Sequence, residues 1–142
     1  MRCLTLALAA AFVIALAPYS QSQALPADIR AEHDPAKRSE LALNYADDAF
    51  DSARDFYSKG AIEKGDEQLE NMTNALNACL SSLEQAHKAK FYKKAEMKVA
   101  FLQRRMSGLL DEVDVQRRGW IEYTDRKLEE IHEKMLNGAM RK

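Results

Sequence analysis

Four side chains are spaced to hold a metal between them. Glu84 and His87 form one Glu-x-x-His motif, and Glu129 and His132 form a second. A three-residue step sets a carboxylate and an imidazole on one helical face. Helical bundles that bind two iron or manganese ions use two such motifs on alternate helices, with one further Glu from each remaining helix. Carboxylate and imidazole ligands suit iron or manganese, and Glu40 and Glu96 are placed to complete such a set. A different chemistry is offered by Lys88, Lys90, Lys93, Lys94 and Lys98, which are interleaved with Phe91 and Tyr92. A basic and aromatic run of this kind docks on an anionic membrane or another polyanion, or is matched internally by an acidic helix.

The remaining repertoire is short. The chain has no Gly-rich phosphate loop and no Cys-x-x-Cys, and nothing aligns a Ser-His-Asp or Cys-His set. Arg104-Arg105 and Arg117-Arg118 read as solvated pairs. Asn71-Met72-Thr73 matches a glycosylation acceptor but falls inside a helical pattern. Cys3 and Cys79 are the two cysteines.

The elements that must position these groups follow from the apolar spacing. Asp34-Pro35 is a helix start, with Asp as the cap and Pro at the first helical position. Ala42, Ala46, Ala49, Ala53 and Phe56 then recur at steps of four and three, flanked by Leu43, Phe50 and Tyr57, and Gly60 stops the pattern. Asp47, Asp48, Asp51 and Asp55 read as a solvated acidic face. A second helix opens at Gly65-Asp66, with Asp66 as its cap, and runs through Leu69, Met72, Leu76, Cys79, Leu83 and Ala86. Cys79 thereby points into the seam and reads as packing. The phase slips near residues 87–91, where a turn is expected without Pro or Gly to mark it.

A new register runs Tyr92, Ala95, Val99, Leu102, Met106, Leu109 and Val113. A further slip precedes Ile121, Thr124, Leu128, Ile131 and Met135, with Asp114 as the expected cap of a fourth helix and Asn137-Gly138 as its end. The rival is one bent helix over residues 91–136, about 70 Å long at the usual rise per residue. The expected fold is all-α: an up-down-up-down four-helix bundle, or two stacked helical hairpins. In this register Glu84 and Glu129 each follow a seam Leu by one position, which turns them outward and weighs against the metal site.

Ahead of the bundle, Met1-Arg2 precedes an apolar run from Leu4 to Leu16, then Pro18 and the small-x-small triplet Ser22-Gln23-Ala24. This is the pattern of a cleaved export signal, residues 1–24, with an uncleaved membrane anchor as the alternative. Cys3 would leave with it, so Cys79 could make no internal disulfide, though a free exported thiol could cross-link two copies. Residues 25–33 read as a loose leader, 34–138 as the bundle and 139–142 as a tail. The whole chain has a net charge of −1, and without the signal the balance is about −2. Such a balance argues against a dedicated nucleic-acid binder. The acids gather before residue 76 and the bases after it, so the two halves can pair.

The stretches Lys37-Arg38-Ser39-Glu40-Leu41-Ala42-Leu43, Phe91-Tyr92-Lys93-Lys94-Ala95-Glu96-Met97-Lys98 and Glu130-Ile131-His132-Glu133 resemble an uncharacterised family of small exported all-helical bacterial proteins. The resemblance implies export, bacterial origin and a helical fold, and it implies no activity.

The expectation is therefore a periplasmic or secreted, non-enzymatic bundle without catalytic or cofactor-binding residues, acting on a protein partner or on itself. Tyr45, Met97, Phe101 and Tyr123 are left over from the seams, and they mark where that contact would form. The alternatives are a di-metal carboxylate bundle built on Glu84, His87, Glu129 and His132, and an anionic-surface binder built on the lysine run.

Overall fold

A computed structural model describes residues 25–141. Residues 1–24, where the sequence pattern suggests an export signal or a membrane anchor, lie outside them, as does Lys142; Cys3 is among the former. The described residues form helices α1 (Ala27–Ala31), α2 (Pro35–Ser58), α3 (Ile62–Ala86), α4 (Ala89–Glu112) and α5 (Gly119–Met140), with a 3-10 turn at Val115–Arg117 before α5. Among them no helix is long and apolar enough to cross a membrane.

α2 begins as its sequence dictates. The Asp34 carboxylate accepts from the Ala36 N–H at 3.0 Å, and Pro35 occupies the first helical position. It ends in a Schellman turn. Gly60 takes φ 74°, its N–H donates to the Tyr57 carbonyl, and the Ala61 N–H reaches back to the Phe56 carbonyl at 2.9 Å. α3 then starts at Ile62, so Gly65-Asp66 lies inside the helix, one turn from its start, and does not open it. The Tyr57 ring packs closely against Gly65, and the Tyr57 hydroxyl donates to the Asp66 carboxylate, which is thereby engaged away from the cap.

The unmarked turn falls where the seam slips. α3 ends at Ala86, and His87 adopts the left-handed conformation that glycine usually supplies, with φ 51°. Residues 91–136 are two helices. α4 stops at Glu112, and the Arg118 guanidinium ties the link back to the Leu110 carbonyl at 3.2 Å. Asp114 precedes the 3-10 turn, and α5 follows Arg118, so Asp114 does not cap it. α5 also runs two residues past Gly138, because this glycine is buried beneath the Tyr92 ring.

Connections this short make neighbouring helices antiparallel, so the directions alternate along the chain. The helices pair α2 with α3 and α4 with α5, and the two hairpins then stack α3 on α5 and α2 on α4. α3 and α4 are adjacent in sequence yet barely touch. Of the two arrangements expected, the stacked hairpins describe the packing.

Ala42, Ala46, Ala49 and Ala53 line the buried face of α2, where small side chains permit close approach. Leu69, Met72, Leu76, Cys79 and Leu83 of α3 pack with them, and the predicted seams of α4 and α5 join the same continuous core. Phe56 and Val113 are only partly buried; Tyr57 closes the end of α2 instead. Residues 25–33 are not a loose leader. α1 buries Ile29 to 2 % exposure, and the Glu32 carbonyl accepts from Arg38 at 3.1 Å.

Candidate interaction surfaces

The metal constellation does not assemble. Glu84 and His87 are exposed at the end of α3, and Glu129 is exposed on α5. His132 turns toward α4, where its Nε2 lies 2.6 Å from Glu96 Oε1. Glu40 is engaged elsewhere, by Lys94 at 2.6 Å. Among the described residues no three His, Cys, Asp or Glu side chains converge where one metal ion would sit. The outward register of Glu84 and Glu129 is the physical reason.

The lysine run divides between two roles. Lys94 and Lys98 turn toward α2 and pair with Glu40 and Asp47, each at 2.6 Å. Lys88 and Lys90 lie over the Phe91 ring, and Lys93 is exposed.

The acidic face of α2 is correspondingly not simply solvated. Asp47 and Asp51 both engage Arg105, and Arg54 reaches Glu112 at 2.9 Å, so a ladder of ion pairs runs along the α2/α4 contact. Arg105 also lies 4.5 Å over Phe50 and 5.6 Å over Phe101, which corrects its reading as a solvated residue. The charge division between the halves of the chain was the available sequence signal. The residue pairing needed the parallel stacking of α2 on α4.

Cys79 is fully buried and free, and burial pushes its thiol up to about 12. Asn71 is 2 % exposed inside α3, which closes it to glycosylation.

The candidate contact residues are distributed unevenly. Every exposed large apolar side chain among the described residues falls between Met97 and Met140, and none lies on α1, α2 or α3. Met97 is 61 % exposed and Phe101 45 %. With Leu43 and Asn44 of α2 they wall a groove of about 310 Å³, edged by the Glu40–Lys94 pair and by Lys98. Lys93 and Arg104 stand exposed on the same helix and enter no ion pair among the described residues. Tyr45, expected with this group, is partly buried.

A second groove, of about 380 Å³, lies between α3 and α5. Trp120 and Tyr123 stand at one end with ring centroids 5.1 Å apart, and Asn74 and Asn77 of α3 form part of the opposite wall. Sequence periodicity identified Tyr123 as left over. It could not show that α3 would supply carboxamides facing it.

The described chain is thus an all-α protein of two stacked hairpins with two inter-hairpin grooves. No protein family, curated relative or solved structure matches it.

Proposed function

We propose that this chain is an exported, non-enzymatic helical module that works by protein contact through its α4/α5 hairpin. One observation carries the reading: the exposed large apolar side chains are confined to that hairpin. Scattered apolar residues are ordinary on a protein surface, whereas a one-sided concentration marks a contact face. Met97 and Phe101 wall the groove beside α2, and Lys93 and Arg104 stand exposed on the same helix without an ion pair among the described residues, Arg104 lying 5.8 Å over the Phe101 ring. The complementary partner is a protein surface with an apolar ridge fringed by carboxylates. The N-terminal residues 1–24 support delivery outside the cytoplasm by their signal-like pattern.

The test is site-specific photo-cross-linking in cells expressing the full chain. A photoreactive residue at position 97 captures a discrete protein adduct, and the same residue at position 48, on the exposed face of α2, captures none. Phe101→Asp abolishes the adduct. Equal capture at both positions, or an adduct indifferent to Phe101→Asp, overturns the reading.

A further inference from the structure

The groove between α3 and α5 differs in chemistry from the Met97 groove. We propose that it is a saccharide-binding site, taking a short uncharged oligosaccharide along α5 with one ring on the Trp120–Tyr123 platform. The proposal draws on Trp120 and Tyr123 of α5, whereas the contact reading is tested at Met97 and Phe101 of α4.

Three observations carry it. The first is the platform. Trp120 is 40 % exposed and Tyr123 43 %, and the rings meet at 5.1 Å with an interplanar angle of 36°. Aromatic rings half open to water bury best against a partner that is apolar on its face and polar at its edge. A pyranose ring has that character, with C–H groups on its faces and hydroxyls around its rim.

The second is the wall. Asn74 and Asn77 are one helical turn apart on α3 and line the groove. A carboxamide offers two donors and an acceptor, which suits vicinal hydroxyls that both donate and accept. The groove's two threonines are already committed, Thr73 to the Leu69 carbonyl and Thr124 to the Trp120 carbonyl. The threonine protons are thus spent, and the asparagine carboxamides line the groove together with the Tyr123 hydroxyl and the Trp120 indole N–H.

The third is charge. The groove carries Glu70 and Glu130 against Lys127 and Lys134, two of each sign. Lys127 is already held by Glu130 at 3.2 Å and stacked 5.6 Å over Tyr123. A balanced lining selects neither a phosphate nor a cationic peptide; it favours a neutral, hydroxyl-rich ligand. From Trp120 to Lys134 the groove follows α5 for about 20 Å, a length suited to several sugar rings.

Trp120 is the sole tryptophan of the chain, so its emission reports on the platform directly. Residues 25–142 are titrated with tetramers of β-1,4-linked glucose, β-1,4-linked N-acetylglucosamine and α-1,4-linked glucose, with tetra-alanine as the peptide control. At least one tetrasaccharide is expected to shift Trp120 emission saturably, with half-saturation at about 1 mM or below, a weak-ligand affinity. Tetra-alanine is expected to leave it unmoved. Asn77→Ala weakens the saccharide response at least tenfold, and Met97→Asp leaves it intact. The proposal is overturned if no tetrasaccharide saturates the signal, if tetra-alanine matches it, or if folded Asn77→Ala binds as the wild type does. Should Asn77→Ala unfold by circular dichroism, Asn74→Ala is read in its place by the same criterion. A failed saccharide titration leaves the cross-link at position 97 untouched, so the two readings fall separately.

Discussion

Arg105 of α4 lies with its guanidinium 4.5 Å over the ring of Phe50 of α2, and the same group pairs with Asp47 and Asp51 beside that ring. One side chain thus joins the two hairpins by stacking and by charge. Arginine can do both because its guanidinium is flat, always charged and forked.

Arg105→Ala is expected to lower stability by about 1–2 kcal/mol, the scale of a partly desolvated cation–π contact with modest ion pairs added. Arg105→Lys restores charge without the flat stack and recovers less than half. Lys59→Ala, which removes an exposed pair with Asp55 at the C-terminal cap of α2, leaves the transition in place. Urea midpoints of the three variants check the ranking. Equal effects for Arg105→Ala and Lys59→Ala would remove Arg105 as the link between hairpins.

Two glycines in helices should respond in opposite directions. A Cβ on Gly108 meets nothing within 4 Å, whereas one on Gly138 would collide with the Tyr92 ring. Gly108→Ala is expected to stabilise by about 1 kcal/mol through helix propensity. Gly138→Ala is expected to destabilise by about 1–3 kcal/mol through overpacking. Tyr92→Ala in the same chain makes the second change cheaper, so the double mutant is less than additive. Thermal unfolding of the four proteins decides it.

The Tyr57 hydroxyl is pushed well above the usual tyrosine range, first by burial and then by its hydrogen bond to Asp66. Burial pushes Tyr45 and Tyr92 in the same direction. Above pH about 10 the unfolded tyrosine releases its proton while the folded one retains it. The stabilisation is therefore complete below that pH and declines as pH rises toward the folded value. Tyr57→Phe is expected to flatten the fall in urea midpoint between pH 9.5 and 11. An unchanged slope would mean that Tyr57 ionises freely in the fold.

Cys79 should be silent until the hairpin opens. With the thiol pushed up to about 12 by burial, a thiol reagent at pH 8 is expected to label native protein at a negligible rate, and to label fully in denaturing urea. Rapid native labelling, or a disulfide-linked dimer in oxidising buffer, would show that the α3 seam opens at this residue.

Much of the fold was legible because burial dictates periodicity. The seams from Leu69 to Leu83, from Tyr92 to Leu109 and from Ile121 to Met135 are the buried faces. Asp34, Pro35 and Gly60 act locally, so their positions could be read directly. What failed was tertiary in origin. Asp66 lost its capping role to a hydroxyl nine residues earlier in the sequence. Gly138 does not end α5, because a ring from α4 covers it. The Glu-x-x-His motifs share a helical face locally but need four helices in register to meet, and their seam phase had already turned the glutamates outward. Met97, Phe101 and Tyr123 were found by subtraction, as apolar residues outside the core. The Asn74 and Asn77 wall was invisible because asparagine on a helix carries no periodic signal.

The division into hairpins has a kinetic side. The strongest packing joins helices consecutive in the chain, within 35–86 and within 89–140, while the contact between the pairs is lighter and carries the ion-pair ladder. Short-range pairings of this kind close quickly, and units joined by a thin seam open separately. In native-state hydrogen exchange, amides of each hairpin should therefore exchange as a group, and the opening that parts the two groups should become easier as salt screens the ladder.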